Sequence, residues 1–202
     1  MILPIIAYGD AVLKKTALPI DASYNELSQL ISNMYDTMYN AHGVGLAAPQ
    51  VGISIRLFIV DSDQILNKKK KDDNDDDDDI LLLKDEIGIK KIFINPTITK
   101  RYGREFEYNE ACLSIPGIRE DITRHEAIDM SYYDEYFTLH QESYNGLNSR
   151  IIQHEYDHLE GRLFTDLLKP LRKSMIRGKL ENISKGKVEV DYRMKFPFSK
   201  RK

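Results

Sequence analysis

The chain has 202 residues, 42% of them hydrophobic, which is enough to bury one well-packed core and gives no reason to expect two domains. No apolar run approaches the roughly 18 residues of a membrane span, and Met1 to Ile6 lacks the charged start, long apolar middle and small-residue cleavage site of a signal peptide; a cytoplasmic protein is expected. The formal charge of -3 conceals a segregated block, because Lys68 to Lys71 and the seven Asp between Asp72 and Asp79 contribute +4 and -7 and leave 25 basic and 25 acidic residues elsewhere.

Met1 to Ile20 holds short apolar runs broken by Pro4, Gly9 and Pro19 and reads as extended or irregular, with a turn at Tyr8-Gly9-Asp10. Ser23 and Glu26 form a capping-box pattern, and Leu27, Leu30, Ile31, Met34 and Met38 follow at helical spacing, so a helix is expected to about Ala41 with His42 in its last turn. The next residues, Gly43 to Gln50, are small and include Pro49. Gly43 is a helix C-cap and Gln50 a surface amide, or the two glycines admit another backbone.

Arg56 to Asp61 reads as a buried strand, and Lys90 to Asn95 as another that Pro96 ends. Between them residues 68–79 are too charged to bury and read as a mobile surface insertion. Ile98 to Tyr108 and Ile122 to Asp134 look strand-like, the latter alternating Ile128, Met130 and Tyr132 against polar neighbours, with a loop at Glu110 to Gly117 between them. Pro170 can open a helix to about Ile183, and Lys187 to Met194 alternates as a late strand. From Lys169 to Lys202 there are 12 basic residues against 3 acidic ones, which suits an anionic surface such as ribosomal RNA or is simply a solvated end.

The chemistry concentrates in His154-Glu155-Tyr156-Asp157-His158, an H-E-x-x-H pattern. Leu147, Ile151, His154 and His158 recur at helical spacing, and Gly161 ends the run. A spacing of four stacks the imidazoles on one helical face, where both reach a single metal ion, while Glu155 beside them is placed as a general base. Hydrolysis needs a third protein ligand and an open position for water. No histidine follows His158, and Glu181 and Glu189 lie in basic or strand-like surroundings. Cys112, the one cysteine, is the better candidate, since a thiolate with two imidazoles makes an open N/S site.

Three segments, Gly43-Val44-Gly45-Leu46-Ala47-Ala48-Pro49-Gln50, Glu110-Ala111-Cys112-Leu113-Ser114 and Gln153-His154-Glu155-Tyr156-Asp157-His158, resemble the three signature motifs of peptide deformylases in order and spacing. The likeness covers nearly the whole chain, including Tyr8-Gly9-Asp10 and Arg150-Ile151-Ile152, and leaves the Lys/Asp block as a private insertion. It implies a single α+β domain over 1–202, with small mixed or antiparallel sheets around a central metal-binding helix, further helices near each end, and a basic tail at 195–202.

The resemblance also implies removal of the formyl group from the N-terminal methionine of nascent polypeptides, with release of formate. Cys112, His154 and His158 would hold one divalent metal, commonly Fe(II), with Zn(II) or Ni(II) accepted. Glu155 would be the acid/base, and Gln50 and the Leu113 N–H would stabilise the oxyanion. Backbone pairing near Gly43 to Gly45 and Tyr108 to Glu110, and a pocket walled by Val44, Leu113 and Ile151 with Tyr108 and Arg119 at its entrance, would bind the formyl-Met peptide. The partner implied is the nascent formyl-Met peptide, not DNA or a membrane, and a ribosome contact rests on the basic C-terminal segment alone. Ala111 stands where the family usually has Gly, which would strain the loop only if that position needs a positive φ. Two rivals stand beside this reading: a zinc endopeptidase that uses the same helix with a downstream third ligand, and a binder of formylated termini without catalysis.

Overall fold

The structure is a computed structural model that describes residues 1–69 and 86–198. The elements run β1 (Ile5–Ile6), α1 (Leu27–Asn40), β2 (Gly45–Ala47), β3 (Leu57–Asp61), α2 (Asp63–Lys69), β4 (Lys90–Cys112), β5 (Ile115–Tyr133), β6 (Leu139–Tyr144), α3 (Gly146–Leu159), α4 (Pro170–Ser184) and β7 (Met194–Lys195). The expected mobile insertion beyond Lys69 and the last four residues of the basic tail lie outside the described residues. Among the described residues no helix is long and apolar enough to cross a membrane.

Strands β2 to β6 form one antiparallel sheet in sequence order, and β1 and β7 pair in parallel as a separate two-stranded sheet. All five residues of β3 are buried, as a central strand of apolar and β-branched residues requires. Phe58 of β3 lies opposite Phe93 of β4 with ring centroids 4.6 Å apart, and Phe93 in turn meets Tyr132 at 4.5 Å. Helix α3 lies against β2, β3 and β5, and twelve of its fourteen residues are buried. Gly161 (φ +68) closes it, with Arg162 N–H on the Asp157 carbonyl; a Cβ at Gly161 would sit 2.6 Å from the Lys14 carbonyl oxygen.

Several local expectations give way to tertiary contacts. The Ser23/Glu26 capping box does not form: Asp21 captures the Ser23 N–H at 2.8 Å, and Glu26 starts α1 at φ 59 without a side-chain cap. His42 takes the left-handed position after α1 (φ 56) rather than the last turn, and Gly43, which donates to the Met38 carbonyl, is small because a Cβ there would lie 2.7 Å from Leu113 Cδ1. Pro96 does not end its strand. Asn95 (φ 48) and a register shift between Ile94 and Thr97 put the proline in a bulge, while the Asn95 side chain bonds both backbone groups of Ile20.

The loop read at Glu110 to Gly117 is mostly strand. Cys112 pairs with Ile115, leaving Leu113 and Ser114 as the tip of a long hairpin, and residues 116–118 bulge before Ala111 meets Arg119. In β5 the alternation holds, with Ile128, Met130 and Tyr132 all buried. The late strand shrinks to Met194–Lys195, since β1 offers only Ile5 and Ile6 as partners. Strand β6 had no apolar face to betray it: of its residues only Tyr144 is buried.

Candidate metal centre

Helical spacing places His154 and His158 on one face of α3, rings edge to face with centroids 5.1 Å apart. The hairpin delivers Cys112 from the end of β4, its Sγ 3.4 Å from His158 Nε2. Ligand atoms of the three side chains lie within 4.8 Å of one another, and all three residues are buried. This is the convergence that sequence separation of more than forty residues conceals.

Glu110, two residues before Cys112, accepts from His154 Nδ1 at 2.9 Å, which leaves the opposite ring nitrogen for an ion. The carboxylate is itself gripped by Arg124 Nε (2.6 Å) and Nη2 (3.0 Å) and by Arg150 Nη1 (3.0 Å), and Arg124 Nη1 also donates to Asp157 at 2.7 Å. Burial works against charge on Glu110, but His154 and Arg124 outweigh it and hold the carboxyl well below the usual range. Burial likewise opposes charge on His154, and Cys112 and Glu110 overcome it, raising its pKa; for His158 burial and the nearby charges of His154 and Arg124 act together and keep the ring neutral. A thiol, one neutral imidazole and a second imidazole fixed by a carboxylate fit a borderline-soft divalent ion, and a neutral His158 ring can ligate through Nε2, the nitrogen nearest Cys112 Sγ.

Glu155 is buried beside this cluster. A Cβ on Gly45 would come within 2.5 Å of its Oε1, and its Oε2 has no hydrogen-bond partner among the described residues. Burial, the largest influence, pushes its carboxyl up to about 7. Gln50, on a 3-10 turn over Ala48–Val51, is 1% exposed. Its Oε1 accepts from Ala47 N–H at 2.7 Å, and that bond turns Nε2 toward Cys112 Sγ and Ser114 Oγ, both at 3.5 Å.

Eleven of the twelve residues singled out from the sequence line one cavity of about 610 Å³: Val44, Gly45, Gln50, Tyr108, Glu110, Cys112, Leu113, Arg119, Ile151, His154 and Glu155. His158 lies behind its wall, 1% exposed. The Glu110 side chain is committed to Arg124, Arg150 and His154, while Arg119 is held by Asn109 at 2.8 Å. Ala111 does not have positive φ, so a Cβ there is unstrained. Sequence reading missed Arg124 and Asp157, whose only signal was charge at inward-facing positions, and missed the cavity wall at Glu189 to Tyr192.

The family model described as polypeptide deformylase matches residues 2–174. A peptide deformylase of Christiangramia forsetii is 52% identical over 201 residues, spanning 100% of this chain and 99% of that protein. One from Flavobacterium psychrophilum is also 52% identical, over 100% of both chains. The crystal structure of a peptide deformylase from Legionella pneumophila is 34% identical, covers 93% of this chain and 98% of its own, and superposes with a TM-score of 0.74. Family, full-length likeness and a buried Cys/His/His cluster agree, and the chain belongs to the peptide deformylases, metal-dependent hydrolases that remove the N-formyl group from nascent polypeptides.

Proposed function

We propose that Cys112, His154 and His158 hold one divalent ion, Fe(II) in the cell, and that Glu155, Gln50 and Leu113 carry the hydrolysis of the formyl-Met amide. The supporting observation is the meeting of three ligand atoms within 4.8 Å beside a buried carboxylate. When bound, the ion supplies a Lewis acid that activates water toward the formyl carbonyl. Glu155 takes a proton from the attacking water and returns it to the leaving amine; a carboxyl raised to about 7 suits both halves of that exchange. The Gln50 Nε2 and the Leu113 N–H meet the charge that develops on the carbonyl oxygen. Arg124 and Glu110 hold His154 still.

The peptide enters the 610 Å³ cavity as an added strand. Strand β2 is the edge of its sheet, and Val44 and Gly45 at its start line the cavity opposite Tyr108 and Glu110 of β4, whose backbone serves because the Glu110 side chain is spent. Val44, Leu113 and Ile151 enclose the methionine side chain, and Arg119 stands at the entrance. The enzyme works in the cytoplasm on chains leaving the ribosome, and the basic C-terminal segment is its contact there, with Lys173, Arg177 and Lys179 of α4 all exposed. Reversing these three charges should weaken ribosome binding at low salt and leave turnover of a free peptide unchanged.

Fe(II) loading without oxygen is expected to give faster formate release from formyl-Met-Ala-Ser than Zn(II) loading at equal occupancy. Equal or reversed rates would remove the Fe(II) assignment. An endopeptidase that draws its third ligand from downstream would keep its metal in Cys112→Ala, whereas this reading requires metal and turnover to be lost together.

A further inference from the structure

The hairpin tip Leu113-Ser114 carries one of the two proposed oxyanion donors, yet its own conformation is not one that two-residue hairpins favour. Such tips prefer turns with positive φ, which match the twist of the flanking strands, and neither Leu113 nor Ser114 has positive φ. Both backbone carbonyls of the tip are held from the two ends of the chain. The Ser114 carbonyl accepts the Tyr8 N–H at 2.8 Å, and the Leu113 carbonyl accepts the Tyr192 hydroxyl at 2.8 Å. Tyr8 follows β1 and Tyr192 precedes β7, and those strands pair with each other, Ile5 opposite Met194 and Ile6 opposite Lys195. Ile5 N–H to the Arg193 carbonyl (2.8 Å) and Ala7 N–H to the Lys195 carbonyl (2.9 Å) extend the pairing on both sides. The terminal sheet is therefore a clamp with one jaw on each carbonyl of the tip.

We infer that Tyr192 is a positioning residue for the deformylase reaction: its hydroxyl holds the Leu113 carbonyl, which restricts the Leu113 backbone and so keeps that residue's own N–H, on the preceding peptide plane, facing the substrate carbonyl. The inference rests on the assignment of Leu113 and Gln50 as the oxyanion site. Tyr192 lies beyond residues 2–174 matched by the family model, so the shared motifs do not assign it a role. It is half-buried, its ring lines the active-site cavity, and its hydroxyl stays protonated because burial and the nearby Cys112 and Asp191 raise its pKa. A protonated phenol donates, as the Leu113 carbonyl requires. The clamp acts on the orientation of a donor, so its effect belongs in turnover rather than in affinity for the ground state.

The test is Tyr192→Phe, which removes the hydroxyl and keeps the ring in the cavity wall. With formyl-Met-Ala-Ser, kcat should fall by about tenfold, the effect of one ordinary hydrogen bond, with KM within about twofold and one metal per chain retained. Tyr192→Ala should lower kcat by at least as much and also raise KM, since the wall is lost. Gln50→Ala, measured alongside, separates the two levels of the argument. If Gln50→Ala is slow and Tyr192→Phe turns over at the wild-type rate, the positioning role is wrong and the oxyanion site stands. If Gln50→Ala itself is fully active, the oxyanion assignment beneath the inference fails. A Tyr192→Phe enzyme that loses metal in proportion to activity would also overturn the inference, by placing the effect on Cys112.

Discussion

Gly45 and Glu155 are in such close contact that the glycine's missing side chain is the space the carboxylate occupies: a Cβ would lie 2.5 Å from Oε1 and 2.8 Å from Cδ and Cγ. Alanine at 45 must therefore push the carboxylate aside, since β2 is held between its sheet neighbour and α3. Displacement of about 1 Å is typically worth about 100-fold in rate. Gly45→Ala should lose about that much kcat with its metal content intact. Wild-type turnover in this variant would mean that Glu155 has no demanding position to hold.

Removing the metal should cost stability as well as activity. Cys112, His154 and His158 come from β4 and α3, so an ion bound to all three ties the sheet to the helix and stabilises the folded chain by its binding free energy. A chelator should lower the melting temperature of the wild type and restore it on readdition of Zn(II), while Cys112→Ala should melt low and respond to neither. A Cys112→Ala protein whose melting still rises with Zn(II) would assign the third ligand elsewhere.

Arg124 bridges Glu110 and Asp157, all three of them buried. Arg124→Ala leaves two buried carboxylates without their main partner, a change that typically costs about 3 to 5 kcal/mol. It also frees the carboxylate that orients His154, and loss of such support commonly weakens metal binding by about 10-fold to 100-fold. Urea unfolding and a metal-competition titration measure the two effects separately. A loss below about 1 kcal/mol would show the network to be decorative.

Acid should release one clasp at a defined point. Burial pushes the Asp166 carboxyl up, but Lys14 and the Leu163 N–H (2.9 Å) outweigh it and hold its pKa below the ordinary 3.8. A depressed carboxylate contributes stability that is complete above the unfolded value and is lost as pH falls from about 3.8 through the lower folded value. The stability gap between wild type and Asp166→Asn should thus be constant above about pH 5 and close on further acidification. A gap that widens in acid would have the wrong sign for this account.

The metal site was legible because it obeys local rules. The i, i+4 histidines announce their own geometry, and Cys112 was the one thiol available to complete them. Where the fold escaped reading, a long-range contact overrode a local signal. Pro96 looked like a strand end, but the Asn95 bulge carries β4 past it to Cys112, and without that long hairpin the thiol would not reach α3. Ser23 had the spacing of a cap and lost its N–H to Asp21. Arg124 is one more charge in a charged strand until the hairpin turns it inward onto Glu110. Tyr192 sits in a segment whose alternation suggested a strand, and its role depends on a turn some eighty residues away.

The central claim is that Glu155 moves the proton while Cys112, His154 and His158 hold the ion, and it is tested most directly by formate release from formyl-Met-Ala-Ser by Glu155→Gln, with bound metal counted in the same sample. The account predicts one metal per chain and a kcat lower by at least about 100-fold. A Glu155→Gln enzyme that keeps its metal and releases formate at the wild-type rate would contradict it.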